Sequence, residues 1–243
     1  MKLTRQAMAM VSAAALICVF DSAEAGSGTH KYYAKTGFYV GLTIPQNTFK
    51  TNFDGKIVQK GQDEVFLPKV GGKYGFGILL GSRYNLLESL GLDYSDVKEG
   101  ATEISYIRST HNASQQGNQG EAVFNMLSLD LKMFFLPKAR FQPYIVAGLG
   151  YSWLSLKGAS SATAFENSAA ESEAKFSGLG FNGGLGLMFY FSPQVSVSGG
   201  FAWRVMYYGD VKNVDRFGNT TITSEDKLEG GGRTFDISMR FTF

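Results

Sequence analysis

The chain ends Arg233-Thr-Phe-Asp-Ile-Ser-Met-Arg-Phe-Thr-Phe243. Phe235, Ile237, Met239, Phe241 and Phe243 alternate without a break against Thr234, Asp236, Ser238, Arg240 and Thr242. A period of two places successive side chains on opposite faces of a β-strand. One face of this strand is wholly apolar and the other polar and charged. A strand of about ten residues crosses a bilayer at a tilt, whereas the termini of water-soluble domains tend to be polar and frayed. The pattern therefore predicts a strand lying between lipid on one side and a polar interior on the other.

Seven earlier segments repeat the pattern, at 37–44, 73–84, 89–96, 122–135, 144–156, 176–191 and 195–208. Their apolar faces, such as Phe38, Val40, Leu42 and Ile44 in the first, carry no charge through the strand middles. The opposite faces hold Lys73, Arg83, Asp93, Asp130, Lys132, Arg204, Asp236 and Arg240, with many glycines between them. A soluble ligand-binding barrel needs the reverse, charges outside and apolar groups inside. Lys or Arg on the lipid side at the bilayer midplane costs about 2–4 kcal/mol, so the charge-free face is expected outside. Eight strands enclose a space that side chains just fill, and an unpaired buried charge is costly. Arg83, Asp93, Asp130, Lys132, Arg204, Asp236 and Arg240 are thus expected to form a structural ion-pair network in the lumen. Arg204 with Asp236 is one expected pair, and Asp93, Asp130, Lys132 and Arg240 a second cluster. The lumen glycines leave room for the long side chains.

The gaps between segments alternate in length. Long ones fall at 45–72, 97–121, 157–175 and 209–232, short ones at 85–88, 136–143 and 192–194, with Pro137, Pro143 and Pro193 as turn formers. Four long loops are unusual in a compact soluble domain. Short turns at one end and long loops at the other, with an even strand number, characterise outer-membrane barrels. The fold expected is an all-β, eight-stranded antiparallel up-and-down transmembrane barrel over 37–243. Short periplasmic turns, four long extracellular loops and two periplasmic termini complete it.

The start of the chain agrees. Lys2 and Arg5 precede an apolar run, and Ala23-Glu24-Ala25 gives a small-x-small cleavage pattern before Gly26. Residues 1–25 read as a secretory signal peptide and 26–36 as a short periplasmic lead-in. Cys18 is the single cysteine, and Ile17 directly before it fits a lipoprotein anchor poorly. Removing 1–25 takes away Lys2 and Arg5 but also Asp21 and Glu24, so the net charge stays at +2. That balance gives no basis for nucleic-acid binding. The mean hydropathy of −0.07 is that of a chain whose strands face a polar interior on one side.

The sequence offers little catalytic chemistry. Gly178, Gly180 and Gly183 match a dinucleotide fingerprint as a string, but they lie within an alternating strand rather than ahead of a helix. No cofactor or metal site is expected. The two histidines, His30 in the lead-in and His111 in the second long gap, read as solvated. Neither is placed to serve as a base beside a nucleophile. The long gaps have nearly balanced charge, and no polybasic patch for lipopolysaccharide stands out. Tyr39, Tyr84, Tyr94, Tyr151, Trp153, Trp203, Tyr207 and Tyr208 lie toward strand ends in several cases, where they suit interfacial girdles.

The segments 37–42, 143–151 and 237–243 resemble the eight-stranded outer membrane protein β-barrel domain superfamily. That group includes opacity-protein-like surface proteins and the barrel halves of OmpA-type proteins. The resemblance implies a Gram-negative outer-membrane location. It also implies that Phe235, Ile237, Met239, Phe241 and Phe243 carry a signal read by the barrel assembly machinery. It supplies no catalytic residues. The function expected is a non-enzymatic integral outer-membrane protein, structural in the envelope, presenting loops for adhesion or for an extracellular ligand or host surface. A small passive channel for small or hydrophobic solutes and an outer-membrane lipid-modifying enzyme are the alternatives. Outer-membrane lipid is an expected partner and nucleic acid is not.

Overall fold

The structure is a computed structural model. It describes residues 33–51, 57–60, 63–66, 69–85, 99–115, 118–157, 173–209, 211–215, 218–222 and 228–243. Ala23, Ala25, Gly26, His30, Asp93 and Tyr94 lie outside the described residues, as does the segment 89–96.

Thirteen strands are present among the described residues: β1 (Gly37–Thr51), β2 (Ile57–Lys60), β3 (Asp63–Phe66), β4 (Lys69–Val70), β5 (Lys73–Asn85), β6 (Glu99–Gln115), β7 (Asn118–Phe134), β8 (Phe141–Lys157), β9 (Glu173–Tyr190), β10 (Val195–Tyr208), β11 (Val211–Asp215), β12 (Gly218–Ile222) and β13 (Leu228–Thr242). Eight of them form a closed antiparallel ring, in which β1, β5, β6, β7, β8, β9, β10 and β13 each pair with the next. β13 returns to β1, with Tyr39 opposite Thr242 and Leu42 opposite Met239. The eight-stranded all-β barrel expected from the alternation is the fold observed.

Alternation fixes the register because a slip of one residue would exchange the two faces. On β13 and just beyond it, Phe235, Ile237, Met239, Phe241 and Phe243 point outward, and Ile237 is 67% exposed. Thr234, Ser238, Arg240 and Thr242 are buried inside. The same inversion holds around the ring, where Leu42, Ile78, Leu131, Ile145, Phe181 and Trp203 all face out. At the end carrying Tyr33 and Phe243 (the terminal end) the outer surface is ringed by phenylalanines. Phe141 lies 5.7 Å from Phe189, Phe189 lies 5.0 Å from Phe191, and Phe241 lies 5.2 Å from Phe243. Toward the opposite, loop end the outward aromatics are Tyr74, Tyr106, Trp153, Trp203 and Tyr207. Tyr39 and Tyr208 depart from the girdle expectation and are buried inside the barrel.

The third barrel strand also departs from expectation. It is β6, Glu99–Gln115, rather than 89–96. β6 and β7 are separated by two residues only, so most of the stretch read as a second long gap is hairpin. Of the turn expected at 85–88, Asn85 closes β5 and 86–88 lie outside the described residues, with β6 beginning at Glu99. The loop-end gaps 45–72 and 209–232 contain ordered pairing of their own, β2 with β3 and β11 with β12. The barrel strands continue past the length a bilayer requires, and there no apolar face is demanded.

At the terminal end the lead-in crosses the barrel mouth. Tyr33 N–H donates to the Pro137 carbonyl (3.2 Å) and Lys35 N–H to the Pro193 carbonyl (3.0 Å). Ala34 is buried between them against Tyr39, Phe134, Tyr144, Met188 and Tyr190, and Tyr33 meets Tyr190 edge-on.

The interior is filled by pairing large groups with glycines. A Cβ at Gly81 would fall onto the Tyr39 ring, and one at Gly186 onto the Tyr144 ring. A Cβ at Gly199 meets nothing within 4 Å. Gly81→Ala should therefore lower unfolding stability by about 1–3 kcal/mol, while Gly199→Ala folds with no loss. Urea unfolding in lipid vesicles checks this, and equal midpoints for the two variants would refute the packing account.

Candidate functional site

The concentration of polar chemistry is the barrel interior. The inward side chains of β6, taken from the terminal end, are Glu99, Ala101, Glu103, Ser105, Ile107, Ser109 and His111, and each is buried. They order four cross-barrel tiers.

The first tier seals the terminal end. Arg83 Nε donates to Glu99 Oε2 at 2.5 Å, and its Nη atoms reach the Tyr190 hydroxyl and Gln142 Oε1. The guanidinium stacks 4.2 Å from the centre of the Phe134 ring. Gln142 in turn donates to the carbonyls of Pro137 (3.0 Å) and Ala139 (2.9 Å), tying the tier to the β7–β8 turn.

Glu103 organises the second tier. Its Oε1 accepts from Lys132 Nζ at 2.6 Å, and its Oε2 from Arg240 Nε at 2.9 Å and the Tyr39 hydroxyl at 3.0 Å. Arg240 Nη1 also donates to Ser198 Oγ at 2.5 Å. One carboxylate thus joins β1, β6, β7 and β13 across the lumen, and both cations it binds are buried.

In the third tier, Asp130 accepts from Asn182 Nδ2 (2.5 Å) and the Ser128 hydroxyl (3.2 Å). Asp236 Oδ2 lies 2.9 Å from the Ser238 hydroxyl. Asp130, Asp236, Arg204 and Asn182 line a mid-barrel cavity of about 50 Å³, space for about three or four water molecules.

The fourth tier closes the cavity toward the loop end. Arg204 Nη1 donates to Asn47 Oδ1 at 3.3 Å, which also accepts from the Thr234 hydroxyl at 2.8 Å. Asn47 Nδ2 donates to Ser109 Oγ at 3.3 Å. Ser109 Oγ lies 2.8 Å from His111 Nε2, and His111 Nδ1 lies 2.6 Å from the Gly71 carbonyl. A carbonyl only accepts, so Nδ1 carries the hydrogen and Nε2 of a neutral ring accepts from the serine.

Of the residues expected in the network, Lys132 and Arg240 meet on Glu103 and Arg83 pairs with Glu99. Asp130 is held by Asn182 and Ser128 rather than by a cation. Arg204 and Asp236 line the same cavity but make no ion pair, because Arg204 turns to Asn47. Their strands put Arg204 opposite Gly232 and Asp236 opposite Gly200, four residues out of register. Glu99 and Glu103, which fall in the second long gap expected from the sequence, lie instead on β6. Its available signal is the run of β-branched and aromatic residues Thr102, Ile104, Tyr106, Ile107 and Thr110. His111, read as a solvated loop residue, is a fully buried strand residue. Gly178, Gly180 and Gly183 lie inside β9, as the alternation there predicts. Below the rim the interior cations Arg83, Lys132, Arg204 and Arg240 face Glu99, Glu103, Asp130 and Asp236, so formal charge cancels among the described residues. No group of three His, Cys, Asp or Glu side chains that could hold a metal ion occurs among them.

Removing one member of a buried pair strands its partners, at about 3–5 kcal/mol. Glu103→Gln should lose that much unfolding stability in vesicles, against about 1 kcal/mol for Asp236→Asn, which weakens one charge-assisted bond from the Ser238 hydroxyl. Equal losses would show that Glu103 does not organise the interior.

A family model described as the outer membrane protein β-barrel domain matches residues 9–230. No curated protein matches the chain. Among solved structures, the chain is similar to Neisserial surface protein A (15% identity, TM-score 0.47, covering 86% of this chain and 98% of the other). It is similar to OprG from Pseudomonas aeruginosa (13%, 0.48, covering 87% and 98%). It is similar also to Ail, the attachment invasion locus protein of Yersinia pestis (13%, 0.43, covering 86% and 100%).

Proposed function

The chain belongs to the family of outer membrane protein β-barrel domains, and within it we propose a non-enzymatic role, as a structural component of the outer membrane that presents its loop end for adhesion or for an extracellular ligand. The observation that carries this reading is the filled interior. Four hydrogen-bonded tiers span the lumen, and the cavity between them holds a few waters at most. These tiers leave little room for a continuous solute path among the described residues, which weighs against the passive-channel reading. The elaboration lies instead beyond the barrel at the loop end, where the β2–β3 and β11–β12 hairpins sit. In this reading that end faces outside and both termini face the periplasm. Residues 1–25 are removed on export, and Phe235, Ile237, Met239, Phe241 and Phe243 present the outward edge recognised during assembly.

One geometry favours the enzyme alternative. Ser109 and His111 stand at nucleophile–base distance, 2.8 Å. Both side chains are buried, at 2% and 0% exposure, and point into the barrel. A lipid substrate outside the wall has no route to Ser109, and the pair instead joins Asn47 to Gly71.

Refolded protein in planar bilayers should give no steady conductance; reproducible pore events would overturn the filled-interior reading. Outer membranes containing the protein or its Ser109→Ala variant should yield lipid A of identical mass. An acyl change dependent on Ser109 would make the protein an enzyme. Intact cells should adhere to host-cell monolayers through the loop end, with adherence lost when 57–66 and 211–222 are deleted from a barrel that still folds. Unchanged adherence would leave the barrel without the presenting role.

A further inference from the structure

The interior arginines Arg83 and Arg240 are each bound to a carboxylate. Arg204, also interior, donates to Asn47 instead, and two further arginines on barrel strands do not enter the lumen at all. Arg108 on β6 is exposed between buried Ile107 and Ser109, and Arg233 on β13 is exposed beside buried Thr234. Both therefore leave the outer wall of the barrel. Their cross-strand neighbours follow one scheme, an aromatic on one side and a neutral polar residue on the other. Arg108 stands between Phe76 and Asn125, and Arg233 between Trp203 and Thr48. No carboxylate pairs with either among the described residues. The outward acids Glu121 and Glu229 sit four residues farther along β7 and β13, about 13 Å at strand rise. The strands between the two arginines, β1 and β5, present Gln46, Thr48 and Tyr74 outward near this level.

We propose that Arg108 and Arg233, with this polar sector of the wall, bind the phosphate groups of membrane lipid at the loop end. A guanidinium at the edge of the apolar band lays its stem along the hydrocarbon and its head at headgroup level. It offers two parallel donors to a phosphate, a match that Lys does not reproduce. If the loop end faces outside, as proposed above, lipid A supplies the phosphate. That sidedness does not enter the test, which uses purified barrel.

The test is native mass spectrometry of lipid retained by refolded protein mixed with bis-phosphorylated lipid A or its dephosphorylated form. Wild type should retain the phosphorylated lipid at least about fivefold better than the dephosphorylated one. The double variant Arg108→Gln/Arg233→Gln should lose that preference. Lys138→Gln/Arg140→Gln, at the terminal end, should keep it. Equal retention of the two lipids by wild type, or an unchanged preference in the Arg108/Arg233 variant, would overturn the proposal. Folding is read from the shift in gel mobility on boiling. If the double variant fails to fold, the two single variants carry the same comparison, each expected to lose about half the preference and each refuting the proposal if unchanged.

Discussion

Hydrogen bonding of the backbone in hydrocarbon is the constraint on which everything else rests. Each unpaired N–H or C=O in the membrane costs several kcal/mol, and a sheet with free edges would expose two rows of them. The pairing of β13 with β1 removes both rows at once. One place tests the tolerance of this scheme. Pro45 in β1 has no N–H, and the β1–β5 register shows no pair at Ile44 or Pro45. The rungs on either side, Thr43 with Gly77 and Gln46 with Tyr74, hold the two strands across that gap.

Closure also dictates the interior. Eight strands leave a narrow lumen, and every second residue of every strand must fit inside it. Tyr39, Tyr144 and Arg240 fit because Gly81, Gly186 and Gly41 stand against them. The polar groups that keep the inner face from dissolving in lipid must then satisfy one another. Glu103 shows the economy of this: one carboxylate takes two cations and a phenol from three other strands. An interior closed in this way is a cross-brace for the wall, and the proposed roles accordingly draw on the surfaces that remain, the loop end and the lipid-facing belt.

The alternating pattern made the barrel, its inside and its outside legible in the sequence, because the same period of two governs both. Where the strands rise above the bilayer that rule lapses. β6 carries Arg108 outward and Ile107 inward, so its faces do not sort by polarity, and it reads as a loop. With β6 unread as a strand, Glu99 and Glu103 on its terminal half and the burial of His111 on its loop half all stay hidden. Charge partners were the second thing that could not be read. Arg204 and Asp236 do face the same space on adjacent strands, but which rung opposes which depends on the stagger between β10 and β13, which no local pattern encodes. Tyr39 and Tyr208 show a third limit, since proximity to a strand end says nothing about which face a tyrosine takes until the register is known.

The segment from Tyr33 to Lys35 is bonded to two turns that belong to other hairpins, through the carbonyls of Pro137 and Pro193. Its attachment therefore runs across the mouth and not along β1. Tension applied to the chain ahead of Tyr33 would load these two bonds and the Tyr33–Tyr190 contact before any rung of β1 is strained. Force entering from the amino-terminal side is shared among β7, β8, β9 and β10, so the β1 side of the seam with β13 is mechanically shielded from a pull at that end.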